Sequence, residues 1–198
     1  TSSNRFPGHG EPRHNGSRLG RREHVIPVAD SVAAWEDGMA DETDRKHLRR
    51  CLELAREALE AGDAPFGSVL VAGDGTVLAE DRNRVSGGDR TRHPEFALAR
   101  WAAENLASAE RARATVYTSG EHCPMCAAAH GFVGLGRIVY AGSTKQLVGW
   151  RAAFGAPASP VSPLPIQEVA PGVAVEGPVP EFADELREMH RRYAELTK

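Results

Sequence analysis

The sequence predicts an α/β sandwich with a mixed sheet, in which strands and helices alternate along the chain. An amphipathic helical pattern is followed by a β-hairpin pattern, and two later strand candidates alternate with two apolar helical runs. The chain has 198 residues, of which 41% are hydrophobic. This length and composition are sufficient for one domain with a sizeable core.

The N-terminal half begins with one helix and a hairpin. The helix is predicted to open at Glu42 to Asp44 and to end at Gly62. A strand at 66–72, a turn at 73–75 and a strand at 77–79 follow, which is typical of a β-hairpin. The apolar residues of the helix recur with a period near 3.6 and share one face: Leu48, Cys51, Leu52, Ala55, Ala58 and Leu59.

Two more helices are predicted to start at prolines. Pro94 and Pro124 each precede a mostly apolar run, at 96–106 and 125–133, and proline is favoured at the first position of a helix. Strand candidates at 114–118 and 137–141 alternate with these helices. His93 and Cys123 therefore stand at helix starts, and the two starts can converge on one point.

The residues at these starts are of the types that bind zinc. Zinc takes imidazole and thiolate ligands in a tetrahedron, and a catalytic site leaves its fourth position to water. His93, Cys123 and Cys126 supply three ligands, and Glu95 is a nearby unligated base. Cys126 falls in the first turn of its helix, where the helix dipole lowers the pKa of a thiol.

Two other interpretations of Cys123 and Cys126 are a redox pair and half of a structural zinc site. A redox pair leaves His93 and Glu95 without a role. A structural site needs a fourth ligand, and the other cysteine, Cys51, lies on the apolar helix face, where a buried thiol is expected. The remaining histidines are interpreted as solvated or capping residues, although His122 and His130 are close enough to the motif to line a pocket: His9, His14, His24, His47, His122, His130 and His190.

Four ordered motifs carry a resemblance to a known family. They are Ala64-Pro65-Phe66-Gly67-Ser68-Val69-Leu70, Asn83-Arg84-Val85, His93-Pro94-Glu95 and Thr118-Ser119-Gly120-Glu121-His122-Cys123-Pro124-Met125-Cys126. The last two form the order H-x-E…P-C-x-x-C of zinc nucleobase deaminases, here with the proline inside C-P-M-C. From about Asp44 to about Gly142 the sequence resembles the cytidine deaminase superfamily. Within it, the similarity is to the branch of bacterial guanine deaminases and tRNA adenosine deaminases.

The resemblance implies a fold and a reaction. The fold is a three-layer α/β/α sandwich around a central mixed five-stranded sheet. The reaction is hydrolytic deamination of an exocyclic amine on a free nucleobase or a similar heterocycle of guanine, cytosine or triazine type. One Zn2+ per subunit, held by His93, Cys123 and Cys126, would provide the hydroxide that attacks the ring and releases ammonia. Glu95 would be the catalytic proton shuttle.

Substrate contacts are predicted at six positions. Asn83 matches an asparagine that bonds the base, and Phe66 matches a phenylalanine that borders the base pocket; a turn asparagine and a core phenylalanine are the alternatives. Pro94 and His122 stand where the family has alanine and proline, so we expect an altered substrate range. The other two positions are Trp150 and Phe154.

The base itself is not determined by these motifs. Bacterial guanine deaminases read the purine with a carboxylate beyond the second metal helix, yet residues 122–167 contain neither Asp nor Glu. Trp150, Arg151 and Phe154 could instead form a lid over a flat ring, or pack as an ordinary helix. Glu121 is expected to be either an acceptor for backbone N–H groups or a substrate contact.

Charge favours a small substrate over nucleic acid. The net charge is −3, and residues 1–24 hold five arginines and two glutamates, so the remainder carries −6. Nucleic-acid binding depends on cationic contacts to phosphates, so we expect a heterocyclic amine and no nucleic-acid or membrane partner. Alternatives are a tRNA adenosine-to-inosine editing enzyme, a nucleoside deaminase and a non-catalytic zinc module. Three cysteines and no expected secretory signal indicate a cytoplasmic protein.

The chain is predicted to have three parts. Residues 1–24 are interpreted as a disordered leader or a sequence added for expression, 25–154 as a zinc-dependent deaminase domain, and 155–198 as a Pro-rich extension with a C-terminal helix. The extension either joins the same domain or is exchanged between subunits of a homodimer. Its helix carries an apolar stripe that must be covered, formed by Phe182, Leu186, Met189, Tyr193 and Leu196.

Overall fold

A computed structural model describes residues 40–197, so the predicted tail at 1–24 and positions 25–39 lie outside the described residues. None of the helices in the described part combines the length and apolar character that crossing a bilayer requires. The α-helices of this part are α1 (Glu42–Glu60), α2 (Pro94–Asn105), α3 (Ser108–Arg111), α4 (Pro124–Val133), α5 (Thr144–Ala153), α6 (Ile166–Val169) and α7 (Ala183–Leu196). Its strands are β1 (Gly67–Val71), β2 (Val77–Arg82), β3 (Thr115–Gly120), β4 (Arg137–Gly142) and β5 (Val175–Glu176).

The strands form the expected mixed five-stranded sheet, in the order β2-β1-β3-β4-β5. Strand β1 is antiparallel to both β2 and β3, whereas β3, β4 and β5 are parallel. Alternate side chains along each strand enter different cores. Val69 and Tyr117 pack with α1 and α7, while Leu70 and Val116 pack with α2. Helices therefore cover both faces of the sheet, and the predicted three-layer sandwich is confirmed.

The first helix begins with a capping box and lies close to the sheet. The Asp41 carboxylate accepts a hydrogen bond from the Asp44 amide (2.8 Å), and the Asp44 carboxylate accepts one from the Asp41 amide (3.2 Å). A Cβ at Gly67 would lie 2.4 Å from Leu54 Cβ, so only glycine allows β1 to start this close to α1. Cys51 is fully buried on the inner face of the helix, as expected of a structural thiol.

The extension after 155 contains two short elements that the sequence pattern did not predict. Helix α6 has four residues and strand β5 has two. Strand β5 exists because Val175 and Glu176 pair with Ile138 and Val139 of β4. Two residues show no hydrophobic period, so an element this short is determined by its partner strand.

The apolar stripe of the C-terminal helix is covered by the core of the same chain. Phe182, Leu186 and Met189 are each at most 4% exposed and pack with α1, β3 and β4. Tyr193 is partly buried against this core, whereas Leu196 is 66% exposed. The first three side chains of the stripe are therefore shielded from solvent within one chain. Exchange of the helix between subunits stays a prediction.

Candidate active site

Two helix starts bring the predicted zinc ligands together. His93 is the N-cap of α2 and Cys123 the N-cap of α4, both with extended backbone angles. Proline occupies the first turn of each helix, and Cys126 follows in the first turn of α4. The predicted convergence of the two starts is therefore confirmed.

The ligand atoms have the spacing that one zinc ion needs. His93 Nδ1 lies 3.6 Å from Cys123 Sγ and 3.6 Å from Cys126 Sγ, and the two sulfur atoms are 3.6 Å apart. Zinc bond lengths of about 2.3 Å to sulfur and about 2.0 Å to nitrogen give tetrahedral edges of about 3.6 to 3.8 Å. Among residues 40–197, no other group of three potential ligands is this compact. The donor set therefore fits zinc without rearrangement.

One of the three ligands, Cys123, is also prepared electrostatically. The hydrogen bond between the two sulfur atoms, together with His93, lowers the pKa of Cys123 to about 4 against the effect of burial. The pKa values of His93 and Cys126 are both raised, in each case first by a hydrogen bond with Cys123. The prediction that the first helical turn lowers the pKa of Cys126 is therefore wrong, because the neighbouring thiolate and burial outweigh the helix dipole. Cys123 is thus favoured as a thiolate, which is the form that binds a metal.

Glu95 lies beside the ligands without belonging to them. Its side chain is 6% exposed, and Oε2 lies 3.5 Å from Cys126 Sγ. Oε1 is within hydrogen-bond distance of the hydroxyls of Thr118 (2.9 Å) and Ser68 (3.3 Å). Burial is the main cause that raises the pKa of Glu95. A carboxyl group with a raised pKa can both accept and return a proton near neutral pH.

Ser68 and Thr118 are functional positions that sequence reasoning missed, although both stood inside quoted motifs. They are direct partners in the pairing of β1 with β3, and their hydroxyls lie 2.9 Å apart. Both are fully buried. A small hydroxyl residue at the same depth in two adjacent strands, near an acidic helix start, is the signal that could have found them.

Asn83 is buried directly after β2 with half of its amide unpaired. Its Nδ2 donates to the carbonyl of Ala64 (3.2 Å), whereas Oδ1 has no hydrogen-bond partner among the described residues. The side chain is 2% exposed. Leaving a buried acceptor unpaired is costly, so this oxygen is suited to a substrate N–H group.

A small cavity lies where β3 and β4 end. Its volume of about 10 Å³ is close to the space of one water molecule. Phe66 and Trp150, two of the predicted substrate contacts, line it together with Ser119, Gly120, Ser143, Thr144, Leu186 and His190. A Cβ at Gly120 would lie 2.8 Å from the Phe66 ring, so glycine is needed for the ring to reach this position.

Glu121 also lines the cavity, but both of its oxygens are engaged. Oε2 accepts a hydrogen bond from the Thr144 amide (2.7 Å), and Oε1 accepts one from the Ile166 amide (3.1 Å). Of the two expected roles, the structure supports that of an acceptor for backbone N–H groups. Glu121 thereby fixes the starts of α5 and α6 beside the cavity.

The other four predicted substrate contacts, Asn83 among them, lie outside the cavity lining. Pro94 is buried at the start of α2, next to Glu95. His122 is 1% exposed and its ring centroid lies 5.5 Å from that of His130, while the Phe154 ring contacts the Arg187 guanidinium at 5.9 Å. Contact of these residues with a substrate stays a prediction.

The interpretation of the other histidines as solvated or capping residues is wrong for His47 and His190. They are 6% and 8% exposed. The His47 ring packs on Tyr117 at 4.7 Å, and the His190 ring lies between Phe66 (5.1 Å) and Trp150 (5.9 Å). A flat imidazole buries its faces against aromatic rings, which composition alone does not reveal. His190 follows Leu186 by four residues on α7, and this spacing could have indicated its burial.

Comparison with known proteins finds relatives that are deaminases. A guanine deaminase of Bacillus subtilis is 41% identical over 81 residues, which cover 40% of this chain and 51% of that protein. A tRNA-specific adenosine deaminase of Agrobacterium fabrum is 40% identical over 99 residues, which cover 49% of this chain and 64% of that protein. The chain thus spans less than two thirds of the length of either relative.

The same fold and the same zinc region are found in solved structures and in a protein family. The structure of guanine deaminase from Nitrosomonas europaea has a TM-score of 0.56 at 20% identity, covering 80% of this chain and 87% of that chain. At this identity the likeness concerns the fold. Residues 41–142 match the family described as the cytidine and deoxycytidylate deaminase zinc-binding region. The chain therefore belongs to this family of zinc-dependent deaminases, and His93, Cys123 and Cys126 form its zinc site.

Proposed function

We propose that this protein is an aminohydrolase that removes an exocyclic amino group from a free nucleobase or a nucleobase-like heterocycle. The observation that carries the proposal is the position of Glu95, which is buried and unligated, 3.5 Å from the sulfur of Cys126. A buried carboxylate without a cation costs stability. A non-catalytic zinc module would gain nothing from it, whereas a hydrolase needs a base at this position.

The proton transfers follow from the orientation of Glu95. His93, Cys123 and Cys126 would hold the zinc ion, which would supply a polarised water for attack on the ring carbon that bears the amine. Glu95 Oε2, the oxygen on the side of Cys126, takes the proton from this water and passes it to a ring nitrogen. It then takes the proton of the newly added hydroxyl and gives it to the amino group, so the C–N bond breaks, ammonia leaves and the carbon becomes a carbonyl. The hydroxyls of Thr118 and Ser68 hold Oε1, so the carboxylate keeps one orientation throughout.

Substrate binding is proposed to use the predicted contacts around this carboxylate. Asn83 Oδ1 accepts a ring or amine N–H group, since it is buried and lacks a partner among the described residues. Phe66 and Trp150 supply apolar faces for a flat ring. Pro94 closes the floor beside Glu95, whereas His122 and Phe154 act from outside the cavity lining.

The relatives favour two substrate classes at similar identity, and charge favours the free base. The Agrobacterium relative supports tRNA adenosine as the second candidate. However, residues 25–198 carry a net charge of −6. Several cations on α1 and α7 are already paired, as in Arg45 with Glu181 (2.9 Å) and Arg191 with Glu188 (2.7 Å). A tRNA needs cations that are free to contact its phosphates.

Ammonia release across a substrate panel tests the proposal. The panel contains guanine, cytosine, an aminotriazine, the matching nucleosides and a tRNA stem-loop, each assayed at low and high salt. We expect turnover of at least one free base, and loss of turnover on chelation that added zinc restores. Efficient, salt-sensitive turnover of the stem-loop would favour the tRNA alternative, and no turnover of any free base would contradict the proposal.

We also propose that the protein works as a homodimer whose pockets depend on the C-terminal extension. The argument is that Leu186 and His190 of α7 line the cavity, so the extension completes it. Truncation after Ile166, read by sedimentation and turnover together, tests this. A monomer with weakened substrate binding is expected. A soluble, dimeric and fully active remnant would refute the role in assembly.

A further inference from the structure

One polar ring in the cavity has no role in the steps above, that of His190. It lies on α7, is 8% exposed and is held between Phe66 and Trp150, with ring centroids at 5.1 and 5.9 Å. The plane of its imidazole is inclined by 59° to the Phe66 ring and by 32° to the Trp150 ring. Within residues 40–197, its ring nitrogens make no hydrogen bond.

The rest of the cavity lining leaves little polar capacity, and none of it is cationic. Both oxygens of Glu121 accept backbone N–H groups, and the Ser143 hydroxyl is engaged with Gln146. The Ser119 hydroxyl accepts a hydrogen bond from the Gly67 amide (3.1 Å). Glu121 is the one charged residue in the lining. The polar side chains of the lining that are free to contact a bound group are therefore the Thr144 hydroxyl and the His190 imidazole, and both suit an uncharged group.

The cavity is connected to the proposed catalytic carboxylate through two residues. Gly120 lines the cavity, and its carbonyl lies 3.1 Å from the Thr118 hydroxyl. That hydroxyl lies 2.9 Å from Glu95 Oε1. Gly120 and Thr118 therefore link the cavity lining to the Glu95 carboxylate.

The protonation state of His190 fits recognition of an uncharged group. Burial, with the nearby charge of Arg151, lowers the pKa of His190 to about 3. The imidazole is therefore neutral at physiological pH and offers one N–H donor and one nitrogen acceptor. It can bond either an oxo or an amino group on a ring.

We propose that His190 is a specificity-determining residue that hydrogen-bonds to an oxo substituent of an uncharged aminated heterocycle, where this substituent enters the cavity lined by Phe66 and Trp150. This inference rests on the proposed function and narrows its substrate class. The cavity has room for about one water-sized group. It accepts a single ring substituent, so the substrate carries a second hydrogen-bonding group besides the amine that is removed.

Binding of matched ring pairs to a zinc-loaded, non-reacting protein tests this. In a Glu95→Gln background, His190→Phe keeps an aromatic ring and removes both nitrogens, whereas His190→Gln keeps a donor and an acceptor. The probes are guanine with 2-aminopurine, and cytosine with 4-aminopyrimidine, which differ within each pair by one oxo group. We expect His190→Phe to weaken binding of the oxo-bearing member about tenfold and the other member by less than about twofold. His190→Gln should retain most of the discrimination.

His47→Phe is the matched control, because His47 is also a buried imidazole stacked on an aromatic ring but does not line the cavity. It should leave the ratio of affinities unchanged. Zinc content and unfolding temperature are measured for each protein, and if His190→Phe does not fold, His190→Leu, which also lacks both ring nitrogens, supplies the comparison. Equal weakening of both members of a pair, or no change in either, would show that His190 only packs. If no probe binds the zinc-loaded protein with His190 intact, the proposed function fails together with this inference.

Discussion

Two carboxylates of this protein are buried to a similar degree and have opposite chemistry. Asp44 is 2% exposed and Glu95 is 6% exposed. Asp44 accepts hydrogen bonds from the Arg137 guanidinium (2.7 and 2.9 Å) and from the Tyr117 hydroxyl (2.9 Å). Glu95 is within reach of two neutral hydroxyls and one thiol. Asp44 forms a salt bridge with Arg137, whereas Glu95 forms none with a basic side chain in the part of the chain that the structure describes.

The partners reverse the effect of burial on the pKa. Burial raises the pKa of Asp44, but the hydrogen bonds from Arg137 and Tyr117 outweigh it, and the net pKa is lowered. For Glu95 burial prevails, and the pKa is raised. Burial alone therefore does not identify a reactive acid. A fully paired carboxylate connects elements of the fold, and one without a cation is available for proton transfer.

Removing Glu95 should give the largest functional effect. Glu95→Ala is expected to keep about one zinc per subunit, because the three ligands remain, and to lower kcat at least about a hundredfold. Metal analysis and steady-state kinetics on the best base of the panel measure both quantities. Loss of zinc together with activity would show that Glu95 is a ligand and would contradict the comparison.

Removing Asp44 should affect the fold and spare the chemistry. Asp44→Asn leaves Arg137, which is 15% exposed, with less compensation, and we expect the free energy of unfolding to fall by about 3 kcal/mol. Urea unfolding measures the loss, while kcat of the folded protein should remain unchanged. Glu195→Gln, which breaks an exposed pair with Arg191, is the control and should cost no more than about 0.5 kcal/mol. A similar loss of unfolding free energy in both variants would show that the buried pair of Asp44 stabilises the fold no more than an exposed pair does.

Asn83 tests whether an unpaired buried acceptor serves the substrate. Asn83→Ala should raise KM about tenfold, because one hydrogen bond to the substrate is lost, with zinc content unchanged. Asn105→Ala is the control, since that exposed amide donates only to the carbonyl of Trp101 (2.7 Å). Unaltered KM in Asn83→Ala would mean that Asn83 serves only the turn that follows β2.

Acid should reveal the paired carboxylate through stability. The pKa of Asp44 is depressed in the folded protein relative to its ordinary value of 3.8. The unfolded chain therefore binds the proton first, and the stabilisation by Asp44 is present above pH 3.8 and is lost as the pH falls through the folded pKa. The difference in unfolding free energy between the wild type and Asp44→Asn should narrow over this range. Loss of zinc in acid affects both proteins and cancels in this comparison. A difference in unfolding free energy that stays constant as the pH falls would show that Asp44 does not cause the acid sensitivity.

The sequence alone was sufficient for the features that depend on local chemistry. His93, Cys123 and Cys126 were predicted as ligands because their types and their places at proline-marked helix starts are local properties. Helices α1, α2 and α4 and strands β1 to β4 were predicted within a few residues, because their hydrophobic periods repeat over enough positions. Glu95 was identified in the same way, from its place two residues after His93.

The tertiary structure decided what depends on contacts between distant segments. Ser68 and Thr118 meet Glu95 only through strand pairing, and Glu121 turns inward to amides more than twenty residues away. His190 enters the cavity because α7 docks on the core, and β5 forms only beside β4. These contacts join segments that are far apart in the sequence, and no local hydrophobic period indicates which distant segments will meet. The sequence therefore determined the zinc ligands and the catalytic carboxylate Glu95. The tertiary structure determined which buried polar groups have hydrogen-bond partners and which have none.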